Sequence, residues 1–477
     1  MQFRDDNGLL AIVGHRSAAW LTALGLHAMH HRGRAGCGLA VSDGSGIRVL
    51  RGTGPTENVF QGPAMDSLRG AVALGQVYGH PSPAVPDSVF VGGDYRPVVG
   101  RYRGGALAVA LSGRLTNGAQ VRRDLLERGR MFHGATDAEL IAQLIAESRK
   151  GTFVNRVVDA LWQVKGAYSL IVATEDRVVA VRDPRGFRPL LLAKVDGAHA
   201  VCSDDAPITL LGGHVLRELA PGELAVVEPR GLTTVRPFPK REVSPCSREP
   251  VTLAGTSSLP FGIGAQELRE QLGERLGKER APLDADIVVG LPESGVAVAL
   301  GFARACGLPF RSALVALPHH GHNPARPPRS IPSLDARLKW SVVSPMVASR
   351  RVALVVSEMG TGRTVRDAVQ LLRDAGASSV DVRCTSPAAT QACRYGVSSP
   401  VAEELTLPRF STEEAVAEWL GARTMAFLEA DSLKDALNDG RDEPINWCRA
   451  CMTGEYPLPP EAPDDQLGLF DSGDDPS

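Results

Sequence analysis

The second half of the chain alternates segments that are typical of helices and strands. The helix-like "GAQELREQLGERLGKE" precedes the apolar run "ADIVVGLP", the helix-like "GVAVALGFARACG", the runs "RSALVAL" and "VALVVS", and the helix-like "TVRDAVQLLRDAG". Because parallel strands need a crossover connection, usually a helix, this order predicts an α/β domain with helices on both faces of a parallel sheet. Such sheets bind ligands at the carboxyl ends of their strands. We therefore expect a site directly after "VALVVS".

The first half has a different order of predicted strands and helices, which indicates an α+β domain. Short β-rich runs separated by glycines, such as "LLAIVG", "CGLAVS", "YSLIVAT", "RVVAVR" and "ELAVVE", surround helical periodicity at residues 17–29 and 136–150. Residues 235–262 are rich in proline, serine and charge, as expected of a crossover between domains. We predict domains at 1–235 and 236–455, followed by an acidic, disordered tail at 456–477.

The charge balance and the hydrophobicity exclude several classes of partner. The 52 lysines and arginines nearly cancel the 54 aspartates and glutamates, so we expect neither direct nucleic-acid binding nor membrane binding. No apolar run approaches the roughly 20 residues of a membrane helix, and the start lacks the pattern of a secretory signal. We expect a cytoplasmic protein, in which eight cysteines are too few and too scattered for a disulfide scaffold.

The stretch after "VALVVS" is a candidate phosphate loop. Two glycines stand among hydroxyls and a guanidinium, in the order Gly360, Thr361, Gly362, Arg363 and Thr364. Backbone N–H groups at a helix N-terminus bind anions, and an arginine adds a planar fork suited to phosphate. The alternative is an ordinary strand-to-helix turn capped by Thr361.

Two cysteines near the end of the chain have the spacing of metal ligands. Cys448 and Cys451, in "CRAC", can reach one metal centre. The histidines of "HHGH", which are His319, His320 and His322, are a weaker candidate, since no carboxylate or cysteine stands beside them and a solvated loop explains them. The remaining cysteines lie among apolar or small residues and are expected to be packed thiols, except Cys246 and Cys393.

Eight motifs follow one another along both halves of the chain: "GLHAMHHRGRAGCGLAVSDG", "ATDAELIAQLI", "VKGAYSLIVAT", "DPRGFRPLLL", "LRELAPGEL", "VVGLPESGVAVALGFARACGLPF", "LLRDAGASSVDVRCTSPA" and "CRACMTGEYP". Through these motifs, the chain to about residue 455 resembles the glutamine phosphoribosylpyrophosphate (PRPP) amidotransferase family. The resemblance implies an N-terminal nucleophile (Ntn) hydrolase-like αββα sandwich with glutaminase ancestry. A type I phosphoribosyltransferase-like domain follows it.

The glutaminase residues that the resemblance implies are largely replaced. The family's nucleophilic cysteine corresponds to Asn7, the arginine that clamps the glutamine carboxylate to Tyr78, and the oxyanion-hole asparagine to Ser112. An amide cannot attack a carbonyl as a thiolate does. Asp137 matches the residue that binds the glutamine amino group, but we expect no glutaminase activity and assign no catalytic residue.

The PRPP site that the resemblance implies is kept only in part. The two aspartates that hold the ribose hydroxyls correspond to Val356 and Ser357, and Glu358 is displaced by one position, toward the other face of a strand. The family's flexible loop is lost in "HHGHNPARPPRSIPS", and only Lys339 matches a basic contact. We therefore expect the 360–364 loop to bind a phosphorylated small molecule, without magnesium and without ordinary PRPP transfer.

The resemblance completes a set of four cysteines. Family members with an iron-sulfur site add a cysteine in the crossover and one after a late strand, which correspond here to Cys246 and Cys393. Together with Cys448 and Cys451, these two cysteines suit a [4Fe-4S] cluster or, alternatively, a tetrahedral zinc ion. A third interpretation is that the four thiols bind no metal. The resemblance favours the cluster.

These observations lead to one main hypothesis and two alternatives. The main hypothesis is a divergent homologue that retains the cluster without either enzyme activity and acts as a binding, regulatory or assembly protein, as a homo-oligomer or with a partner protein. The alternatives are a repurposed enzyme for another phosphorylated substrate and a genuine amidophosphoribosyltransferase. In the tail, "QLGLF", from Gln466 to Phe470, resembles peptides that dock into the bacterial sliding clamp, although a solubilising tail explains it too.

Overall fold

The computed structural model describes residues 4–5, 7–79, 96–282, 284–317 and 332–458. Within these ranges, none of the helices combines the length and the apolar character that a membrane crossing requires.

The first half contains fourteen strands and seven helices within the described residues. The strands are β1 (Arg4–Asp5), β2 (Asn7–Val13), β3 (Gly36–Ser42), β4 (Ile47–Thr53), β5 (Val72–Tyr78), β6 (Val98–Tyr102), β7 (Gly105–Leu115), β8 (Gly166–Ala173), β9 (Val178–Arg182), β10 (Leu191–Val195), β11 (Ala198–Cys202), β12 (His214–Glu218), β13 (Leu224–Glu228) and β14 (Gly231–Val235). The helices are α1 (Ala18–His27), α2 (Thr56–Val59), α3 (Gly62–Asp66), α4 (Gly118–Glu127), α5 (Asp137–Glu147), α6 (Phe153–Leu161) and α7 (Ala206–Leu210).

These elements form four layers. The sheets β12-β10-β11-β2-β5-β3-β4 and β14-β13-β9-β8-β7-β6 are antiparallel and face each other, with Leu9 and Leu74 meeting Ile171 in the core between them. Helix α1 covers the outer face of the first sheet, and α5 and α6 cover that of the second. All residues of β2 and β5 are buried, because both faces of these strands are covered. This explains why their sequences are mostly apolar instead of alternating. The predicted αββα sandwich is confirmed.

The second half contains seven strands and nine helices within the described residues. The strands are β15 (Ile287–Gly290), β16 (Leu314–Ala316), β17 (Trp340–Val342), β18 (Arg351–Val356), β19 (Ser379–Cys384), β20 (Val397–Ser398) and β21 (Thr424–Phe427). The helices are α8 (Ala265–Glu279), α9 (Ser294–Cys306), α10 (Pro332–Lys339), α11 (Ser344–Val347), α12 (Arg363–Asp374), α13 (Thr406–Phe410), α14 (Glu413–Leu420), α15 (Ala430–Asn438) and α16 (Ala450–Thr453).

The predicted parallel sheet is confirmed, with the order β15-β18-β19-β21. Helices α8, α9 and α15 pack on one face around Leu272 and Phe302. Helices α12 and α14 pack on the other face around Val369 and Val416. The carboxyl ends of β15 and β18 therefore lie side by side and position the loops that follow them.

The run "RSALVAL" does not join this sheet as predicted. Phe310, directly before this run, forms a parallel bridge to Val288 of β15, and the Arg311 amide donates to the Val288 carbonyl at 2.8 Å. Strand β16 pairs antiparallel with β17 instead. An apolar run indicates a strand but carries no information about its partner, and here the nearby β17 provides one.

The chain itself, one strand pair and side-chain contacts such as Ser258 Oγ to Asp204 Oδ1 at 2.9 Å join the halves. Residues 236–248, in the predicted crossover, contain no helix or long strand, and a short π-helical turn follows at Glu249–Leu253. The two-residue strand β1 pairs antiparallel with β20, so that Arg4 lies opposite Ser398. The division at residue 235 stays a prediction, but β1 pairs with a strand from the other side of it.

Candidate functional sites

The 360–364 loop joins the end of β18 to α12. Gly362, at φ 72°, is the N-cap of α12, and no side chain caps the helix. The alternative of a turn capped by Thr361 is therefore wrong, because the helix begins one residue later than that cap requires. A Cβ on Gly362 would lie 2.7 Å from Thr406 Cγ2 and 2.8 Å from the Trp419 ring. The N-cap residue itself thus offers the first amides of α12 no side-chain acceptor, and helix N-termini favour anions.

The positions that hold the ribose in the family have no carboxylate directed at this loop. Val356 is fully buried in the core of the second domain. Ser357 Oγ lies 2.7 Å from the hydroxyl of Ser294, which begins α9. Glu358 is buried and its Oε2 accepts a hydrogen bond from Arg248 Nη1 at 2.6 Å. The Glu358 carboxylate is therefore directed at the crossover.

Asn7, at the position of the family nucleophile, begins β2 and is enclosed. Its Oδ1 accepts hydrogen bonds from Gln76 Nε2 at 2.6 Å and from Arg96 Nη1 at 3.0 Å. Its carbonyl oxygen accepts one from the Ser112 hydroxyl at 3.2 Å. The residue is 7% exposed. The carboxamide thus acts as a buried hydrogen-bond acceptor, and its nitrogen has no free lone pair for attack.

Tyr78, at the position of the carboxylate clamp, is packed into the same cluster. It lies opposite Asn7 in the β2–β5 register, and the Arg96 guanidinium stacks 4.0 Å from its ring centroid. A Cβ on Gly36 would lie 2.2 Å from the Tyr78 hydroxyl, so the ring packs directly on that strand. Arg96 brings a cation to this cluster that the sequence did not indicate, and it contacts both Asn7 and Tyr78.

Asp137 connects the end of β7 to the start of α5. Its Oδ2 accepts a hydrogen bond from the Leu115 amide at 2.8 Å. Burial raises the pKa of Asp137, although this hydrogen bond acts in the opposite direction. The observed contact is a structural one, and binding of an amino group stays a prediction.

The four predicted ligand cysteines line one cavity of about 20 Å³ between the two halves. The backbones of Cys246 and Cys448 form a parallel bridge, and the Cys448 amide donates to the Pro245 carbonyl at 2.8 Å. The Cys393 sulfur accepts a hydrogen bond from the Tyr395 amide at 3.3 Å. The structure thus brings together residues from the crossover, the segment after β19 and the start of α16.

Two buried arginines also line this cavity. Arg248 Nε donates to the Cys451 sulfur at 3.1 Å, and Arg188 pairs with Glu249 at 3.2 Å. Burial lowers the pKa of Arg248, but Cys451 and Glu358 outweigh it and the pKa is raised. Burial also raises the pKa of the Cys246 thiol to about 12. Without a metal such thiols stay protonated, while the guanidinium groups favour an anionic, metal-bound form.

The spacing of the sulfurs distinguishes between the candidate metals. In the part of the chain that the structure describes, no three of these sulfurs lie within 4.8 Å of one another. Tetrahedral zinc, with Zn–S bonds of about 2.3 Å, would hold its sulfurs only about 3.8 Å apart. A [4Fe-4S] cluster binds each thiolate to a different iron and so needs wider spacing. The donor set therefore fits the cluster better than it fits zinc.

The other predicted site residues are not brought together in this way. Lys339 ends α10, where its carbonyl oxygen accepts a hydrogen bond from the Leu317 amide at 2.8 Å beside the β16–β17 hairpin. Its contact with a phosphate stays a prediction. The candidates outside the described residues are His319, His320, His322 and the motif from Gln466 to Phe470. The cysteines expected to be packed thiols are all buried or half-buried, namely Cys37, Cys202, Cys306 and Cys384.

Sequence reasoning missed the polar partners of these sites. Arg248 and Glu358 lie 110 residues apart, and no spacing pattern relates them. Arg248 is two residues from Cys246, so a search for charges beside the proposed ligands could have found one member of the pair.

Comparisons with known proteins agree with the fold and the motifs. A family model described as a glutamine amidotransferase domain matches residues 89–209. The chain is 36% identical over 460 residues to amidophosphoribosyltransferase 1, chloroplastic, of Arabidopsis thaliana, covering 96% of this chain and 79% of that protein. It is 32% identical over 458 residues to the amidophosphoribosyltransferase of Bacillus subtilis, covering 95% of this chain and 94% of that protein.

The solved structures give the same result. The glutamine PRPP amidotransferase from B. subtilis, complexed with ADP and GMP, matches with a TM-score of 0.87 at 31% identity. The match covers 94% of this chain and 97% of that chain. The chain therefore belongs to the amidophosphoribosyltransferase family.

Proposed function

We propose that this family member has neither glutaminase nor PRPP amidotransferase activity and acts as a binding, regulatory or assembly protein that retains a [4Fe-4S] cluster. The proposal rests on the identity and the hydrogen bonds of Asn7. A carboxamide held by Gln76 and Arg96 occupies the nucleophile position.

The expected loss of glutamine hydrolysis is large. Removing the nucleophile of an acyl-transfer enzyme costs on the order of 10⁶-fold in rate. Removing an oxyanion-hole donor costs roughly another 10²- to 10³-fold, and Ser112 donates its hydroxyl to Asn7 instead. Asp137 alone cannot compensate, since it binds only one end of a substrate.

The PRPP site has lost its means of holding the ribose and its metal. Val356 is part of the apolar core, Ser357 pairs with Ser294, and Glu358 pairs with Arg248. Magnesium prefers carboxylate and phosphate oxygens, so these positions offer it no ligand.

The 360–364 loop supports binding of a phosphorylated small molecule. The N-terminal amides of α12 and the exposed Arg363 would supply hydrogen bonds and charge to a phosphate, and Thr361 and Thr364 would supply hydroxyls. Since the B. subtilis relative was solved with ADP and GMP, purine nucleotides are the first ligands to test.

The cysteine site supports an architectural role for the cluster. Cys246, Cys393, Cys448 and Cys451 would hold it, and it would supply a covalent link between the crossover and the end of the second domain. Because such a site does not exist in the unfolded chain, the free energy of binding contributes to folding. Self-association, a protein partner and a cytoplasmic location stay predictions.

Anaerobic purification followed by iron and sulfide quantitation and enzyme assays tests the proposal. We expect about four irons and four sulfides per chain. We also expect no ammonia from glutamine and no glutamine-dependent consumption of PRPP, with the B. subtilis enzyme as the positive control. An iron-free protein would refute the cluster, and turnover of either reactant would refute the loss of activity.

A further inference from the structure

We propose that His27, His30 and Glu57 form a binding site for a divalent transition-metal ion of the zinc class. His27 is the last residue of α1, and His30 lies in the turn that follows. Thr56 and Glu57 begin α2, on the other side of the site. These residues lie in the first domain and use nitrogen and oxygen donors, so the proposal does not depend on the cysteine site or on the proposed function.

The donor atoms converge on one point. His27 Nδ1 and His30 Nε2 each lie 3.5 Å from Glu57 Oε2. All three atoms lie within 4.8 Å of one another. The Thr56 hydroxyl lies 3.3 Å from His27 Nδ1, 2.9 Å from His30 Nε2 and 3.4 Å from Glu57 Oε2.

These separations match those around a tetrahedral ion. Zinc bonds to imidazole nitrogen and carboxylate oxygen are about 2.0–2.2 Å long, which places neighbouring ligand atoms roughly 3.3–3.6 Å apart. Two imidazoles and a carboxylate also suit a transition metal better than magnesium or calcium, which prefer oxygen ligands. The Thr56 hydroxyl is placed to be a fourth ligand or to orient a bound water.

A hydrogen-bonded cluster accounts less well for this convergence. The Thr56 amide donates a hydrogen bond to His30 Nε2 at 3.3 Å, so this nitrogen is an acceptor, yet it lies 3.5 Å from a second acceptor, Glu57 Oε2. A cation satisfies both imidazoles and the carboxylate together, and Glu57 supplies a negative charge that offsets the nearby Arg34.

The site is open to solvent on one side. The His27 side chain is 56% exposed, that of Glu57 34% and that of His30 11%. An ion can therefore enter without unfolding the domain. Once bound, it would join the end of α1 to the start of α2.

Metal titration of the anaerobically purified full-length protein tests the proposal. With the cysteines occupied by their cluster, Co²⁺ is titrated spectroscopically and Zn²⁺ is titrated by calorimetry. The variants are His30→Gln and Glu57→Gln, each a neutral replacement of similar size. The control is His214→Gln, which changes an exposed histidine on β12.

We expect the wild type and the control to bind one ion per chain, with a cobalt spectrum that lacks a thiolate-to-metal charge-transfer band. Each site variant should bind at least about tenfold more weakly, since even supporting residues of metal sites change affinity by 10- to 100-fold. Unaltered affinity in both variants, or no binding by the wild type, would overturn the proposal. Circular dichroism without metal identifies a variant that fails to fold, and the other variant then decides.

Discussion

Arg248 and Glu358 form a buried ion pair, with Nη1 2.6 Å from Oε2, that joins the interdomain crossover to the turn after β18. The Nε–H group of the same guanidinium donates a hydrogen bond to the Cys451 sulfur at 3.1 Å. Arg248 therefore contacts both the cysteine cavity and the turn that leads into the 360–364 loop.

Loss of one member of this pair should destabilise the protein. Removing one partner of a buried ion pair leaves the other charge uncompensated and costs about 3–5 kcal/mol. We expect Glu358→Ala to lower the free energy of unfolding by this amount, measured by anaerobic denaturant titration. Glu403→Ala, at an exposed position, is the matched control and should unfold like the wild type. Equal stability of Glu358→Ala and the wild type would contradict the role of the pair.

Restoring the nucleophile alone should not restore glutaminase activity. In Asn7→Cys, Tyr78 and Ser112 remain, and Gln76 and Arg96 lose their shared acceptor. We expect ammonia release from glutamine to stay at background. Each of the two donors loses one hydrogen bond, which contributes about 0.5–1.5 kcal/mol, so the free energy of unfolding should fall by about 1–3 kcal/mol. Measurable ammonia release would show that the pocket is more complete than its contacts indicate.

The ligand cysteines should control iron content. Cys448→Ala removes one proposed ligand, so we expect loss of colour, loss of most iron and sulfide, and a lower unfolding temperature under anaerobic conditions. Cys306→Ala is the matched control, because that half-buried thiol donates to the Gly277 carbonyl at 3.6 Å and does not line the cysteine cavity. Equal iron in the two variants would exclude Cys448 as a ligand.

Arg363 should determine affinity for phosphate groups. A charge-assisted hydrogen bond contributes about 1.5–3 kcal/mol, which corresponds to roughly 10- to 150-fold in affinity. We expect GMP or a sugar phosphate to raise the unfolding temperature of the wild type and of Arg311→Ala, an exposed control, but much less that of Arg363→Ala. A ligand effect that is identical in all three proteins would place the phosphate elsewhere.

Stability should fall in acid through Asp204. Burial tends to raise the pKa of this carboxyl, but Arg32 and the hydrogen bond from His31 outweigh it and hold the pKa well below its usual value. A depressed pKa contributes stability above the unfolded-state pKa of about 3.9, and this contribution is lost as the pH falls further.

Asp204→Asn should therefore be less stable at pH 7 and should lose less stability between about pH 5 and pH 3. Denaturant unfolding over this range measures the slope. Asp442→Asn, at an exposed site, should keep the wild-type slope. A wild-type slope in Asp204→Asn would assign the acid sensitivity to other carboxyls.

The sequence predicted those features that local pattern determines. Continuous apolar runs identified β2, β3, β8 and β18, and helical periodicity identified α5 and α12. The pairing of β16 with β17 could not be predicted, because strand partners depend on tertiary contacts. The four cysteines could be grouped through the resemblance to a family. Their arginine neighbours and the enclosure of Asn7 by Gln76 and Arg96 depend on contacts between residues far apart in the chain, for which composition and spacing give no signal.

The pairing of β1 with β20 has a consequence for proteolysis. Cleavage before Asn7 would remove the strand opposite Val397 and Ser398. Within the described part of the chain, β20 would then have an unsatisfied backbone edge a few residues from Cys393. The short strand β1 is thus one contact between the halves, and its release would remove that strand pair.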